Sequence, residues 1–284
     1  MRLANVGGRA TIMISDDHGV DVHRASGERF GPELSGIYEN WDQFLNWADD
    51  ASLGEVAAVS RDQLGAPSPS PRQIVAIGLN FQNHAVESGF EAPTQLPPVF
   101  TKFLSSLTGP YTTVSLPPGG NTDWEVEVVA VISRVASGVS PEHAWDHVAG
   151  LTVGQDISER VTQLRPPAPQ FSLGKSFAGF APTGPWLVTP DEVVDRDDLE
   201  LGCSINGGVV QTGRTRDLIF SIPRLVSELS QTMTLYPGDL IFTGTPEGVG
   251  LGRNPQQFLQ DGDVLVSWVA GIGNLEQRFE ASPR

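Results

Sequence analysis

One cysteine, Cys203, is all the thiol chemistry in this 284-residue chain. A single thiol forms no internal disulfide and no cysteine-based zinc site. Within the strand-like run Leu201-Gly-Cys-Ser-Ile it reads as a small buried hydrophobe. Cations are also scarce, with 18 Lys and Arg against 34 Asp and Glu and a formal charge of −16. The absence of a basic patch argues against a nucleic-acid partner. No apolar run reaches the 18 residues of a membrane-spanning helix. The N-terminus, Met1-Arg-Leu-Ala-Asn-Val-Gly-Gly, has none of the apolar core of a secretory signal. The expectation is a soluble, cytoplasmic protein.

What is abundant is turn chemistry. Gly 31 and Pro 22 make up roughly 19% of the chain, above an average of about 12% but below the disordered range. Residues 1–64 read as a small module. Ala10-Thr-Ile-Met-Ile is strand-like, Asp16-Asp-His-Gly turns, and Asp21-Val-His reads as a second strand. Trp41, Phe44, Leu45 and Ala48 recur at helical spacing, predicting a helix from Asn40, its N-cap, to Ala51. Gly65-Ala-Pro-Ser-Pro-Ser-Pro71 carries three prolines and marks a linker over 65–71. From residue 72 to 284 short strands dominate: Gln73-Ile-Val-Ala-Ile, Trp186-Leu-Val, Leu240-Ile-Phe, Val264-Leu-Val-Ser-Trp and Gln277-Arg-Phe. Only a few helices interrupt them, such as Pro141–Ala149 and Ile222–Gln231. The pattern is β-dominated α+β, not alternating βαβ.

Asp123-Trp-Glu125-Val-Glu127 runs into Val-Val-Ala-Val-Ile. On a strand, residues i, i+2 and i+4 share a face, so the three acids point one way and Trp124 and Val126 the other. Like charges at the mouth of a buried strand repel and resist desolvation, which a hard divalent cation relieves. A solvated edge-strand face is the competing reading. In Gly78-Leu-Asn80-Phe-Gln-Asn-His84-Ala-Val-Glu87, His84 and Glu87 stand at i and i+3 on one helical face. A carboxylate there orients an imidazole and raises its basicity, although a surface ion pair has the same spacing.

Lys102, in Pro98-Val-Phe-Thr-Lys102, fits either an anion contact or a lysine snorkelling to solvent. Asp156 closes the apolar run Leu151-Thr-Val-Gly, and strand ends commonly bind ligands. Lys175, in Gly174-Lys175-Ser176-Phe177, is a candidate electrostatic stabiliser, with a solvated lysine as the alternative. The run Thr243-Gly244-Thr245-Pro246-Glu-Gly248-Val-Gly250 lets backbone approach an anion. It lacks the spacing of a Walker loop.

Taken in order, these motifs, with Gln155-Asp156-x-Ser158-x-Arg160-x-x-Gln163 and Pro237-Gly238-Asp239, resemble the fumarylacetoacetate hydrolase superfamily. The similarity is to its bacterial hydrolase, isomerase and decarboxylase branch, which includes the 2-hydroxyhepta-2,4-diene-1,7-dioate isomerases, and it covers about residues 72–275. The resemblance implies a rolled, mixed β-core with flanking helices over 72–284, residues 1–64 being the variable N-terminal α+β module, and a homodimer. It implies Mg²⁺ or Mn²⁺, with Ca²⁺ as an occupant in crystals, on Glu125, Glu127 and Asp156, with Asp123 a neighbouring acid. Carried over likewise, His84 and Glu87 are a catalytic dyad on a lid and Lys175 faces the substrate. Gln163, Gly244 and Thr245 contact substrate, Thr245 through backbone and hydroxyl. Gln155 stands where many members have Asn, and Ala178 where many have Asp.

The implied activity is divalent-metal-dependent chemistry on a small 2-oxo or 2,4-dioxo acid through a metal-bound enolate, foremost hydrolysis of a C–C bond in aromatic catabolism. Isomerisation, tautomerisation and oxaloacetate-type decarboxylation use the same parts. A sugar-acid dehydratase and a non-catalytic homologue stand behind them, and the His84–Glu87 pair argues against the latter. A lid anchored as sparsely as 81–97 is expected to stand open without ligand, with His84 away from the carboxylates.

Overall fold

The computed structural model describes residues 1–50, 54–87, 89 and 91–282. Its centre is the strand Val126–Ile132, every residue of which is buried. Alternation divides that strand between two apolar clusters. Val126, Val128, Ala130 and Ile132 face one; Val129 and Val131 face the other. A strand enclosed on both faces requires an uninterrupted apolar run, and this segment supplies one up to Glu127.

Val126–Ile132 pairs antiparallel with Val148–Gln155 on one side and with Leu240–Phe242 on the other. Leu240–Phe242 then pairs in parallel with Ile74–Ile77, so the sheet is mixed. A second sheet of five strands includes Glu200–Ile205, Val264–Val269 and Gly273–Ala281 and packs against the first. Leu201, Cys203, Leu265 and Phe279 complete the cluster between them. The fold is β-dominated and mixed, as expected.

The N-terminal strands continue the main sheet. Arg2–Val6 pairs with Ala181–Val188, and Phe30, Leu34, Ile37, Trp41 and Phe44 share a cluster with Ile74, Phe100 and Phe242. The proline-bearing segment 65–71 is held from both sides: Tyr38 Oη donates to Pro67 O at 2.9 Å and Ser68 Oγ to Gly238 O at 2.6 Å. The helix Trp41–Asp50 forms with Trp41 and Phe44 inward; Ala51, its expected last residue, lies outside the described residues. Ile222–Thr232 is helical as expected.

Three local expectations differ. The second strand is His18–Asp21 and stops there, because the Asp21 carboxylate accepts from Arg24 N at 2.9 Å and caps the short helix Val22–Ala25. Pro141–His147 is a 3₁₀ helix, and Val148 already belongs to the next strand. The acidic segment is not one continuous strand, since Thr122–Asp123 pairs with Ser158–Glu159 before Val126–Ile132 begins. There the backbone leaves one partner for another.

Gly154 is required by a close approach. A Cβ there would lie 2.4 Å from Val129 Cγ2 and 2.8 Å from Phe242 Cε1. Gly154→Ala is expected to lower stability by about 3 kcal/mol through overpacking. Chemical denaturation of purified protein measures this. An unchanged unfolding midpoint would show that Val129 and Phe242 can move aside.

Candidate active site

Strand register assembles the acids. Val126 lies opposite Gln155 and Glu127 opposite Gly154, so one step further Glu125 meets Asp156. Asp156 N donates to Glu125 O at 2.8 Å. On the other side Val129 lies opposite Phe242, which brings Gly244 beside Glu127. The carboxylates of Glu125, Glu127 and Asp156 are buried, and each offers an oxygen within 4.8 Å of the others.

Three cations from elsewhere reach this cluster. Lys175 Nζ lies 2.6 Å from both Glu125 Oε2 and Asp156 Oδ2. Lys102 Nζ donates to Asp156 Oδ1. Arg160 Nη2 lies 2.8 Å from Glu125 Oε1 and 2.7 Å from Asp123 Oδ2. Burial raises the Glu125 carboxyl's pKa, but Lys175, Arg160 and His84 outweigh it and bring it down to about 2. Burial pulls Lys175 down, yet Asp156 and Glu125 hold it above its ordinary value. Lys102 ends below its ordinary value, because burial and the charge of Lys175 together exceed the pull of Asp156.

Glu127 is the exception. Its Oε2 accepts from Gly244 N at 2.7 Å, and among the described residues no ion pair reaches it. Burial first, then the charges of Asp156 and Glu125, raise its carboxyl well above the ordinary value of 4.5. A buried acid short of positive charge, beside two others with oxygens in reach, is a donor set that fits a hard divalent cation.

His84 and Glu87 form the expected pair on the helical turn Gln82–Glu87, with His84 Nδ1 2.8 Å from Glu87 Oε1. Glu87 also accepts from Gly248 N, at 3.1 Å to Oε1 and 3.0 Å to Oε2. This clamp closes the segment against the glycine-rich loop. His84 is buried and lines the same cavity of about 260 Å³ as Glu125, Arg160, Gln163, Lys175 and Thr245. The open pose is therefore not the one found. Asn80 holds the base of the segment: its Nδ2 donates to Phe220 O and Thr243 O, at 2.9 and 2.7 Å, and its Oδ1 accepts from Phe220 N at 2.8 Å.

Two groups expected to face substrate have partners within the fold. The N–H of Gly244 already serves Glu127. The Thr245 hydroxyl donates to Val126 O at 2.8 Å and accepts from Gln211 Nε2 at 2.9 Å. One N–H and one O–H so committed are not free to donate to a ligand, which leaves Thr245 its backbone. Gln163 Oε1 accepts from Arg160 Nη1 at 2.8 Å, leaving its amide NH₂ as the donor. Asp123 ties loop to site: Oδ1 accepts from Gly250 N at 2.7 Å, and Oδ2 from Leu251 N at 2.9 Å and from Arg160. Gly174, before Lys175, admits the close pass of Gln163, whose N would be 2.6 Å from a Cβ there.

Lys102 and Arg160 are the residues that sequence reasoning left without a role. For Lys102 a signal existed: it lies two residues after Phe100, and both are buried, whereas Val99 and Thr101 are exposed. A lysine on the inward face of a strand needs a carboxylate partner.

The model for the fumarylacetoacetate (FAA) hydrolase C-terminal family matches residues 73–280. A 2,4-didehydro-3-deoxy-L-rhamnonate hydrolase from Sphingomonas sp. (strain SKA58) is 45% identical over 233 residues, 81% of this chain and 80% of its own. The mitochondrial oxaloacetate tautomerase FAHD2A of Homo sapiens is 43% identical over 276 residues, 93% of this chain and 88% of its own. Among solved structures, a Mycobacterium smegmatis protein assigned provisionally as HpcE is 52% identical with a TM-score of 0.95, covering 100% of both chains. Maleylpyruvate hydrolase from Sphingobium sp. SYK-6, in complex with manganese(II) and pyruvate, is 28% identical with a TM-score of 0.81, also over 100% of both chains.

Proposed function

The chain belongs to the fumarylacetoacetate hydrolase family, and from that premise we propose that it is a divalent-metal-dependent hydrolase of a 2,4-dioxo acid, acting on a C–C bond. The observation that carries this is one cavity lined by Glu125 and Lys175 of the acidic cluster and by His84 of a clamped His–Glu pair. A purely structural metal site has no use for a base. The Sphingomonas relative supports the substrate class, because its named substrate is a sugar acid oxidised at C2 and C4.

Glu125, Glu127 and Asp156 would hold the ion, Mg²⁺ or Mn²⁺; a Mn²⁺-bound relative supports that choice. Once bound, such an ion supplies Lewis-acid polarisation at the 2-oxo end of the substrate. The protein's own groups do the rest. Glu87 fixes Nδ1 of His84, so Nε2 takes the proton from water as its oxygen attacks the C4 carbonyl. The C3–C4 bond breaks, its electron pair passes to the 2-oxo end as an enolate, and protonation at C3 yields pyruvate beside a carboxylic acid. Lys175 Nζ lies on the acids that frame this end and offsets the charge that develops there. Gln163 NH₂ and the Thr245 backbone orient the substrate carboxylate.

The human relative favours a second reading, tautomerisation of oxaloacetate, which moves a proton and needs no attacking water. Turnover of an acylpyruvate and of oxaloacetate, with and without EDTA, separates the two. The acylpyruvate is expected to show the higher kcat/KM and to release pyruvate, with EDTA abolishing the reaction. Oxaloacetate tautomerisation tenfold faster would install the second reading.

Lys175→Met is expected to lower kcat by about 10²-fold. Metal stoichiometry, measured on the same protein, should remain that of the parent, because the Lys175 ammonium pairs with Glu125 and Asp156 and would not itself be a ligand. An unchanged kcat would leave the lysine a purely structural counter-charge.

A further inference from the structure

The wall of the cavity and the charge around it limit which 2-oxo acid fits, an inference that rests on the function proposed above. Half of the cavity lining is hydrocarbon or aromatic, including Leu79, Phe100, Leu164, Phe171, Val249 and Leu251. The cationic side chains lining it are Lys175 and Arg160, apart from His84. Both are already paired: Lys175 with Glu125 and Asp156, and Arg160 with Asp123 and Glu125. Lys102, behind the wall, is paired with Asp156.

Charge in the buried cluster can be followed group by group. Asp123, Glu125, Glu127 and Asp156 are four carboxylates against the cations Lys102, Lys175 and Arg160, one negative charge in excess. A divalent ion on the triad reverses that to one positive charge, and a single substrate carboxylate neutralises it. Glu87 beside His84 adds a further carboxylate and no uncompensated cation. A second carboxylate on the substrate would therefore meet an apolar wall with no unpaired lysine or arginine among the residues lining the cavity. Burying a carboxylate unpaired is strongly unfavourable.

We propose that this enzyme takes a 2-oxo acid with one carboxylate and an uncharged tail, an acylpyruvate with a neutral acyl group, and discriminates against dicarboxylates through the apolar wall at Leu79, Phe171 and Val249. Leu79 carries a second mark of this design. It is a non-glycine residue at φ +58°, a conformation in which leucine is strained by about 1–2 kcal/mol. It follows Gly78 and precedes Asn80, whose three hydrogen bonds hold the turn. Strain retained at a residue lining the cavity points to a role for its side chain there.

The test is binding to the Mg²⁺-loaded protein by calorimetry, using two ligands that share a 2-oxo acid head and differ in the tail: 2-oxohexanoate, with a methyl end, and 2-oxoglutarate, with a carboxylate. The expected result is at least a 10-fold lower Kd for 2-oxohexanoate. In Leu79→Lys, which places a cation in the wall and stays at the same backbone angle, the ratio is expected to move toward 2-oxoglutarate by a further 10-fold or more. Equal Kd values, or tighter 2-oxoglutarate, in the parent protein would overturn this inference while leaving the 2-oxo acid reading in place, since both ligands would then bind. If neither ligand bound a protein that retains its metal, the 2-oxo acid reading would fall and this inference with it.

Discussion

Glu127→Gln is expected to remove the divalent ion, and with it turnover, while leaving the fold intact. Three buried carboxylates define the candidate metal site, but two of them also anchor buried cations. Removing Asp156 would strand Lys102 and leave Lys175 with Glu125 alone, and an unpaired buried charge costs about 3–5 kcal/mol. Loss of metal in that variant could not be told from loss of structure. Glu127 carries no such duty. Among the described residues its one hydrogen bond is accepted from Gly244 N, which a glutamine oxygen accepts equally well, so the substitution removes charge and little else.

The expected result is loss of stoichiometric Mg²⁺ or Mn²⁺ after dialysis, turnover lower by 10³-fold or more, and an apo-protein unfolding midpoint no lower than the parent's. Parent metal content in the variant would remove Glu127 from the ligand set. A pH dependence accompanies this in the metal-free protein. The Glu127 carboxyl is raised above 4.5 in the fold, so the folded state holds its proton more tightly than the unfolded state. Its contribution is complete below 4.5 and is lost as pH rises through the folded value. Metal-free parent should thus lose stability relative to Glu127→Gln over that rise, and parallel stability curves would contradict the assignment.

The second large effect is expected at His84. His84→Ala should lower hydrolysis of an acylpyruvate by about 10³-fold, within the range general-base catalysis supplies. Metal content should not change, because the imidazole touches Glu87 and not the acidic triad. The segment should stay closed, because Glu87 keeps its two contacts to Gly248 N. No other histidine replaces it: His18 and His143 are exposed beside Asp17 and Asp146, His23 bonds Phe30 O, and none of these, nor His147, lines the cavity. Oxaloacetate decarboxylation, which needs no attacking water, should fall far less. Parent-rate hydrolysis would show that His84 is not the base.

Patterns along the chain were sufficient for much that depends on near neighbours, though not for the Asp21 cap or the 3₁₀ form of Pro141–His147. The segment 128–132 reads as buried because its apolar run has no polar interruption. His84 and Glu87 meet because three residues of helix bring side chains to one face, a property of the backbone alone. Glu125 and Glu127 share a face for the same reason at the period of a strand.

The tertiary structure decided the partners. Lys102 and Lys175 both reach Asp156, from 54 and 19 residues away, and Arg160 bonds Asp123 across 37. No local period encodes those distances; the register of packed strands does. The same register commits the Gly244 N–H to Glu127 and the Thr245 hydroxyl to Val126, groups that the loop sequence alone left available to a ligand. The break between Thr122–Asp123 and Val126–Ile132 likewise comes from a pairing with Ser158–Glu159. Residue types and short spacings set which chemistry the chain can carry. Which charges remain uncompensated was settled only when distant segments packed, because buried ion pairing depends on positions in space and not along the chain.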